Sequence, residues 1–187
     1  MPNPIQSFLK LSFNMHLRSW QPEQADSSKA PFLLIHGLSS NAQTWDAVGQ
    51  LLADAGHHAV AIDQRNHGLS GKTEDGFDFA TITADVNQVL DHLGWERPIL
   101  VGQSWGGNVL TEFGARYLGR SAGLVMVDGG FLDFGATGES WEAISEKLTP
   151  PDIDRFPAET MRYLIQSNHK DWDEVGIDGT MANFKEL

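Results

Sequence analysis

The stretch that decides the fold is Ile99-Leu-Val-Gly-Gln-Ser-Trp-Gly-Gly-Asn-Val-Leu110. It changes from β-forming residues to a helix-like pattern at Ser104, which stands between Gly102 and Gly106. This G-x-S-x-G pattern is typical of a nucleophile elbow, a sharp strand-to-helix turn that exposes a serine hydroxyl. Strand and helix nearly touch in such a turn, so the two flanking positions must almost lack side chains. Ser104 is therefore the candidate nucleophile.

A second match to the same pattern, Gly119-Arg-Ser121-Ala-Gly123, lies further along the chain. Its setting is the opposite one, because it follows a helical segment and precedes a strand. We predict that Ser121 lies in a loop after a helix that ends near Gly119, and that it has no catalytic role.

Strand-like and helix-like segments alternate on both sides of the elbow. Residues 5–20 are predicted to form two strands with a turn near Asn14, and short apolar runs follow at 32–35, 59–62, 99–101 and 124–127. Apolar runs of this length are typical of strands buried on both faces. The order predicts an α/β fold, a three-layer sandwich with a mostly parallel sheet and an antiparallel N-terminal edge.

Two helices between these strands have predicted buried faces. The first face carries Trp45, Val48, Leu51 and Leu52, with Gly56 closing the helix; the second carries Ile82, Val86, Val89, Leu90 and Leu93. After about residue 131 amphipathic helical segments follow one another without strands. We therefore predict an α/β core over residues 1–130 and a helical cap over 131–187, lying on the ends of the strands.

Composition limits the classes of partner. The net charge of −12 argues against nucleic acid and against anionic membranes. The absence of cysteine excludes disulfides, and no motif for a metal or a nucleotide cofactor occurs, so no cofactor is expected. Neither a secretory signal nor a membrane-spanning run is visible, which makes the cytoplasm the expected location. Residues 138–187 hold 11 acids and 5 bases, which indicates a solvated face or, alternatively, steering of a cationic ligand.

An attacking serine also needs donors for the oxyanion that forms. One predicted donor is the backbone N–H of Trp105, at the start of the new helix. The other is the N–H of Leu38, in the turn after the strand at 32–35, where Gly37 permits close approach. We expect His36 to brace this turn rather than to act as the base.

Three motifs together resemble the α/β-hydrolase fold superfamily: HGLSSNAQTW (36–45), AIDQRNHGLSG (61–71) and VGQSWGGNVL (101–110). They are similar to the group that includes esterases, lactonases, carbon–carbon bond hydrolases, haloalkane dehalogenases and epoxide hydrolases, over residues 5 to about 131. The resemblance implies a structural turn at 63–68, with a left-handed Asn66 where the family commonly has glycine. The dehalogenase and epoxide-hydrolase branches use an aspartate nucleophile, so Ser104 favours the esterase- and lactonase-like branch. The implied substrate is a small-molecule ester, thioester, lactone or related acyl compound, with Trp105 as a pocket wall.

The resemblance also implies an acid and then a histidine after the serine. Asp128, at the end of the strand at 124–127, is a possible acid, the alternative being a loop-bracing role. The only histidine after Ser104 is His169, in a polar segment where we expect an exposed side chain. The cap residues Trp141 and Phe156 are candidates for the pocket, although helix packing explains them equally well.

The sequence is therefore expected to correspond to the N-terminal part of such a hydrolase, truncated before the last strands and without the catalytic histidine. The apolar strand at 124–127 would leave an open sheet edge. On this view the chain alone is nearly inactive. Two alternatives are a non-catalytic, small-molecule-binding member of the fold and a fragment that needs a complementing chain.

Overall fold

A six-stranded sheet organises the chain. The computed structural model describes residues 4–24, 26–130, 134–149 and 157–185. The strands are β1 (Ile5–Lys10), β2 (Asn14–Trp20), β3 (Phe32–Ile35), β4 (Ala59–Ile62), β5 (Ile99–Gln103) and β6 (Gly123–Val127), in the spatial order β1-β2-β4-β3-β5-β6. β2 is antiparallel to β1 and to β4, whereas β3 to β6 pair in parallel. The predicted α/β class with an antiparallel N-terminal edge is confirmed.

Helices cover the two faces of this sheet. They are α1 (Asp46–Asp54), α2 (Phe79–Leu93) and α3 (Trp105–Arg116), and a 3-10 helix at Ala42–Trp45 leads directly into α1. Leu33 and Ile35 belong to the cluster under α2 and α3, whereas Leu34 belongs to the cluster under α1. Successive residues of a strand point to opposite faces, so one short apolar run supplies both layers of the sandwich.

The two predicted helix faces have different outcomes. In α2, Ile82, Val86, Val89 and Leu90 are buried, Leu93 packs partly against them, and Gly94 closes the helix in the left-handed conformation. The predicted buried face of the first helix is wrong at two positions, because Val48 is 40% exposed and Leu51 is 67% exposed. The 3-10 segment has about 3.0 residues per turn instead of 3.6, so it changes the phase of the pattern before α1 begins.

Gly49, Gln50 and Ala53 form the buried face of α1 instead. Trp20 from β2 fills the space over Gly49, where an added Cβ would overlap the indole ring. The predicted burial of Trp45 and the helix end at Gly56, which has φ of +88°, are confirmed.

In the described residues after the sheet, the α-helices are α4 (Trp141–Leu148), α5 (Ala158–Asn168) and α6 (Glu174–Lys185). The first two were expected from their amphipathic patterns, and the third was not. Ile165 of α5 packs with Ile177 and Met181 of α6, and α6 also contacts the 3-10 helix and α1. The division into a core over 1–130 and a cap over 131–187 stays a prediction. None of the helices in the described ranges combines the length and apolar character needed to cross a bilayer.

β6 forms one edge of the sheet, as the sequence led us to expect. It pairs only with β5 among the described strands. Val125 and Val127 lie on the same face of β6 and are 44% and 42% exposed. Leu124 instead packs toward α3. One face and the outer edge of this strand are therefore open.

Candidate active site

Ser104 occupies a strained turn between β5 and α3. Its φ of 49° and ψ of −117° are unfavourable for a residue with a side chain. The turn is held by two backbone hydrogen bonds: Ser104 N–H donates to the Val127 carbonyl at 2.9 Å, and Gly107 N–H donates to the Ser104 carbonyl at 2.9 Å. The Ser104 hydroxyl makes no capping hydrogen bond to α3 and the residue is partly exposed. This is the backbone conformation expected for a nucleophile elbow.

The glycines around Ser104 make this turn possible. A Cβ on Gly102 would overlap the Gly106 carbonyl, and a Cβ on Gly106 would overlap the Ile35 carbonyl of the neighbouring strand. Both obstacles are backbone atoms, which cannot move aside as a flexible side chain does. The sequence-based reason for these two glycines therefore agrees with the packing.

The turn after β3 lies beside the elbow. A Cβ on Gly37 would come within 3.1 Å of the Ser104 Cβ and 2.5 Å of Gln103 Oε1. Leu38 follows in this turn with 45% of its surface exposed. Within the described chain, neither the Leu38 N–H nor the Trp105 N–H donates to a backbone or side-chain acceptor. Two free donors thus lie in the segments that flank the serine.

The Trp105 ring has a partner that the sequence did not suggest. It stacks on Phe79, the first residue of α2, with ring centroids 5.0 Å apart and planes 25° apart. Both rings pack on the core cluster under α2 and α3. Trp105 therefore fixes the start of α3 against α2.

His36 braces the turn, as expected. It is fully buried, and its Nε2 accepts a hydrogen bond from the Gln64 backbone N–H at 3.0 Å. The proton must then be on Nδ1, which donates to the Gly37 carbonyl at 2.7 Å. Burial, with a further contribution from nearby His67, lowers the pKa of His36 to about 4. A neutral imidazole with both nitrogens engaged is not free to act as a base.

The turn at 63–68 is structural and centres on Asp63. Its carboxylate accepts hydrogen bonds from the backbone N–H groups of Ala42 at 2.6 Å and Leu69 at 2.9 Å, and it pairs with His16 Nδ1 at 2.7 Å. Burial opposes the charged form, but the hydrogen bonds from His16 and from the two N–H groups outweigh it and lower the pKa of Asp63. Asn66 has φ of 64°, which confirms the predicted left-handed asparagine.

Asp128 follows β6 directly next to the elbow. It has φ of 50° and is exposed, and a Cβ on its neighbour Gly129 would overlap the Ser104 carbonyl. Its carboxylate makes no hydrogen bond or ion pair within the described chain. Asp128 therefore lies in the segment next to Ser104, and its role as the acid stays a prediction.

The other candidates lie elsewhere. His169 caps the end of α5 and stacks on Trp172, with centroids 3.9 Å apart. Ser121 lies in the loop between α3 and β6, after Gly119 with φ of +77°, as predicted. Trp141 of α4 is 67% exposed, and Phe156 lies outside the described residues. In the described part of the chain, no three His, Asp or Glu side chains group as they would around a metal ion.

The fold and the elbow define a class. The family model for the α/β hydrolase fold matches residues 30–177, so the chain belongs to the α/β hydrolase family. A probable hydrolytic enzyme from Pseudomonas aeruginosa PAO1 has the same fold, with a TM-score of 0.75 at 24% identity over 96% of this chain.

Two curated relatives have more similar sequences over shorter stretches. The non-heme chloroperoxidase CPO-A1 of Kitasatospora aureofaciens is 39% identical over 90 residues, which is 48% of this chain and 31% of the relative. Epoxide hydrolase A of Mycobacterium tuberculosis is 38% identical over 90 residues, which is 46% of this chain and 28% of the relative. The chain covers 58% of the Pseudomonas structure. It therefore corresponds to part of each of these proteins.

Proposed function

We propose that the chain carries the nucleophile and oxyanion site of a serine hydrolase that acts on an ester, thioester, lactone or related acyl bond of a small molecule in the cytoplasm. The observation that carries the proposal is the strained Ser104 backbone. Strain of about 1–3 kcal/mol at a residue with a side chain persists where the surrounding structure enforces it, typically at functional sites. Glycine would remove the strain, so the presence of a serine at this position indicates a functional role for its side chain.

The reaction follows from the proposed roles. Ser104 Oγ attacks the acyl carbon and loses its proton to a base, while the carbonyl π electrons move to oxygen. The N–H groups of Leu38 and Trp105 donate to that oxyanion. The carbonyl re-forms and its bond to the leaving oxygen or sulfur breaks, while the protonated base gives its proton to that atom, which leaves an acyl-serine. Water then attacks the acyl-serine and loses a proton to the base, and the base returns this proton to Ser104 Oγ as the acid is released.

Neither His36 nor His169 is available as the base for Ser104. Both ring nitrogens of His36 are hydrogen-bonded within the turn, and the ring of His169 stacks between α5 and α6. Loss of a triad base typically lowers the rate by several orders of magnitude, with a residual contribution from the oxyanion donors. We therefore expect slow turnover, with Asp128 available to orient an incoming base.

The relatives are named for different reactions, and the residue type at position 104 indicates which reaction suits this chain. The epoxide hydrolase matches 46% of this chain and the chloroperoxidase matches 48%. The epoxide-hydrolase branch of the fold opens its substrate with an aspartate nucleophile, whereas this chain has Ser104 at that position, and a serine forms an acyl intermediate. Acyl transfer is therefore proposed here rather than epoxide opening.

The experiment is hydrolysis of an activated ester, p-nitrophenyl acetate, with and without added imidazole as an external base. We expect imidazole to raise the rate of the wild-type chain above that of Ser104→Ala, and a fluorophosphonate probe to label Ser104. Ser121→Ala, in the second G-x-S-x-G match, is the control and should behave as wild type. Equal rates for wild type and Ser104→Ala, with no labelling, would refute the proposal and favour the non-catalytic binding protein.

A second candidate function rests on the open edge of β6. We propose that this edge accepts a further parallel strand, so that the chain acts as one part of a hydrolase completed by another polypeptide segment. β6 pairs only with β5 among the described strands, and Val125 and Val127 beside this edge are exposed. Both features support the proposal, because a bare apolar edge is an aggregation hazard when nothing covers it. Mixing the chain with the C-terminal part of a related hydrolase should then increase fluorophosphonate labelling of Ser104. A Val125→Lys variant should abolish this gain, and a gain that persists in the variant would argue against the edge.

A further inference from the structure

A cleft separate from the elbow lies between α6 and the start of the first helical segment. Its volume is about 420 Å³, and Ser104 is not among the residues that line it. Gln43, Thr44 and Ala47 form one wall, and residues 171–173 with one side of α6 form the other. Sites for small ligands typically enclose about 300–1,000 Å³, so the cleft is large enough for one.

The main aromatic surface of the cleft is Trp172. Its side chain is 45% exposed although it lies on the cleft wall, and its ring stacks on His169 with planes 14° apart. The stacking fixes the indole without burying it. An exposed, fixed indole is a favourable surface for a cation, because the face of the ring carries partial negative charge.

The charge of the cleft is negative. Asp171 makes no hydrogen bond or ion pair within the described chain, and Asp173 uses one oxygen to accept from the Gly176 N–H at 2.9 Å. None of the described residues that line the cleft is basic. Asp171 and Asp173 therefore flank the indole without a cationic partner.

The nearest Lys and Arg side chains of the described chain, Arg162 and Lys170, do not line the cleft, and Lys170 offsets only part of its negative charge. Arg162 of α5 is engaged with Glu174 and, at 2.6 Å, with Asp178, and it does not line the cleft. Lys170 is exposed and forms no ion pair within the described chain. The acidic excess of residues 138–187 is thus concentrated in part at this cleft.

We propose that the cleft binds a small organic cation, an ammonium group attached to an apolar body. The ammonium would lie against Trp172 between the two carboxylates, and the apolar body would contact Ala47 and the glycine-containing side of α6. The net charge of −12 favours the approach of such a ligand. The proposal does not depend on the proposed function, because none of its groups belongs to the elbow.

The test uses benzyltrimethylammonium as the probe and its uncharged carbon analogue, neopentylbenzene, as the control ligand. Binding is followed by the chemical shift of the Trp172 indole N–H and by calorimetry. We expect saturable binding of the cation, weaker binding at high salt and no comparable binding of the neutral compound. Equal binding of the two compounds, or no saturable shift of the Trp172 signal, would overturn the proposal. Ser104→Ala should bind the cation as wild type does.

Variants locate the site. Asp171→Asn combined with Asp173→Asn keeps the helix cap, because asparagine also accepts the N–H, and should weaken binding by about three- to tenfold. Glu142→Gln on α4, an exposed acid outside the cleft, should leave binding unchanged. Gly176→Leu should fill the cleft and abolish binding, since a Cβ there meets no atom closer than 3.5 Å and the helix can accommodate it. Unchanged affinity in both cleft variants would show that the cation binds elsewhere.

Discussion

Replacing Ser104 by glycine should stabilise the protein while removing its nucleophile. The backbone at φ 49° and ψ −117° suits glycine, which has no Cβ, and release of the strain is worth about 1–3 kcal/mol. The hydroxyl makes no capping hydrogen bond to α3, so little is lost with it. Glycine also adds freedom to the unfolded chain, at a cost of about 0.5–1 kcal/mol. The net gain in the free energy of unfolding should be up to about 2.5 kcal/mol.

The comparison with Ser104→Ala isolates the strain, because alanine removes the hydroxyl but keeps the Cβ. Urea unfolding should rank Ser104→Gly above both Ser104→Ala and wild type, with a thermal midpoint higher by up to about 10 °C than that of wild type. Ser121→Gly, at a position without positive φ, is the matched control and should lose about 0.5–1 kcal/mol. If Ser104→Gly is no more stable than Ser104→Ala, the backbone at 104 is not strained and the main support for a nucleophile is lost.

Two further predictions concern the surroundings of the elbow. Gly106→Ala should lower the free energy of unfolding by about 1–3 kcal/mol, because its Cβ overlaps a strand carbonyl, whereas Gly123→Ala, with open space around it, should change it by less than about 0.5 kcal/mol in urea titrations. His36 has a folded-state pKa of about 4, below its ordinary value of 6.5. The stability that neutral His36 contributes to the folded state is therefore complete above pH 6.5 and is lost as the pH falls toward 4. The free energy of unfolding should fall by up to about 3 kcal/mol over that window. His36→Gln should flatten this part of the profile and the exposed-surface variant His92→Gln should not; equal profiles for the two would contradict the burial of a neutral His36.

Local patterns predicted the parts of the fold that depend on local geometry. The elbow followed from glycines spaced around Ser104, and the buried face of α2 followed from a helical period that ends at Gly94. The same period failed in α1, because a 3-10 turn precedes it and shifts the phase. The apolar spacing around Val48 does not signal that shift, because it continues a regular helical period through the 3-10 turn.

Local sequence patterns did not predict the contacts between segments that are distant in the chain. The stack of Phe79 on Trp105 joins the starts of two helices, and no local sequence pattern predicts that these two residues are in contact. The role of Asp63 was anticipated only as a structural turn, and its bond to His16 was not. The cleft beside Trp172 also required the placement of α6, a helix that the sequence did not reveal.

The Asp63 carboxylate has a consequence for the order of folding. It connects to residues 47 and 21 positions away in the chain, His16 and Ala42, so both contacts close long loops. Such contacts carry an entropic cost that must be met before they contribute, and they slow the step in which they form. The N-terminal hairpin can lock onto the sheet only after β4 and the turn behind it are in place. We therefore expect it to join last during refolding, and its amide protons to exchange with solvent sooner than those of β5.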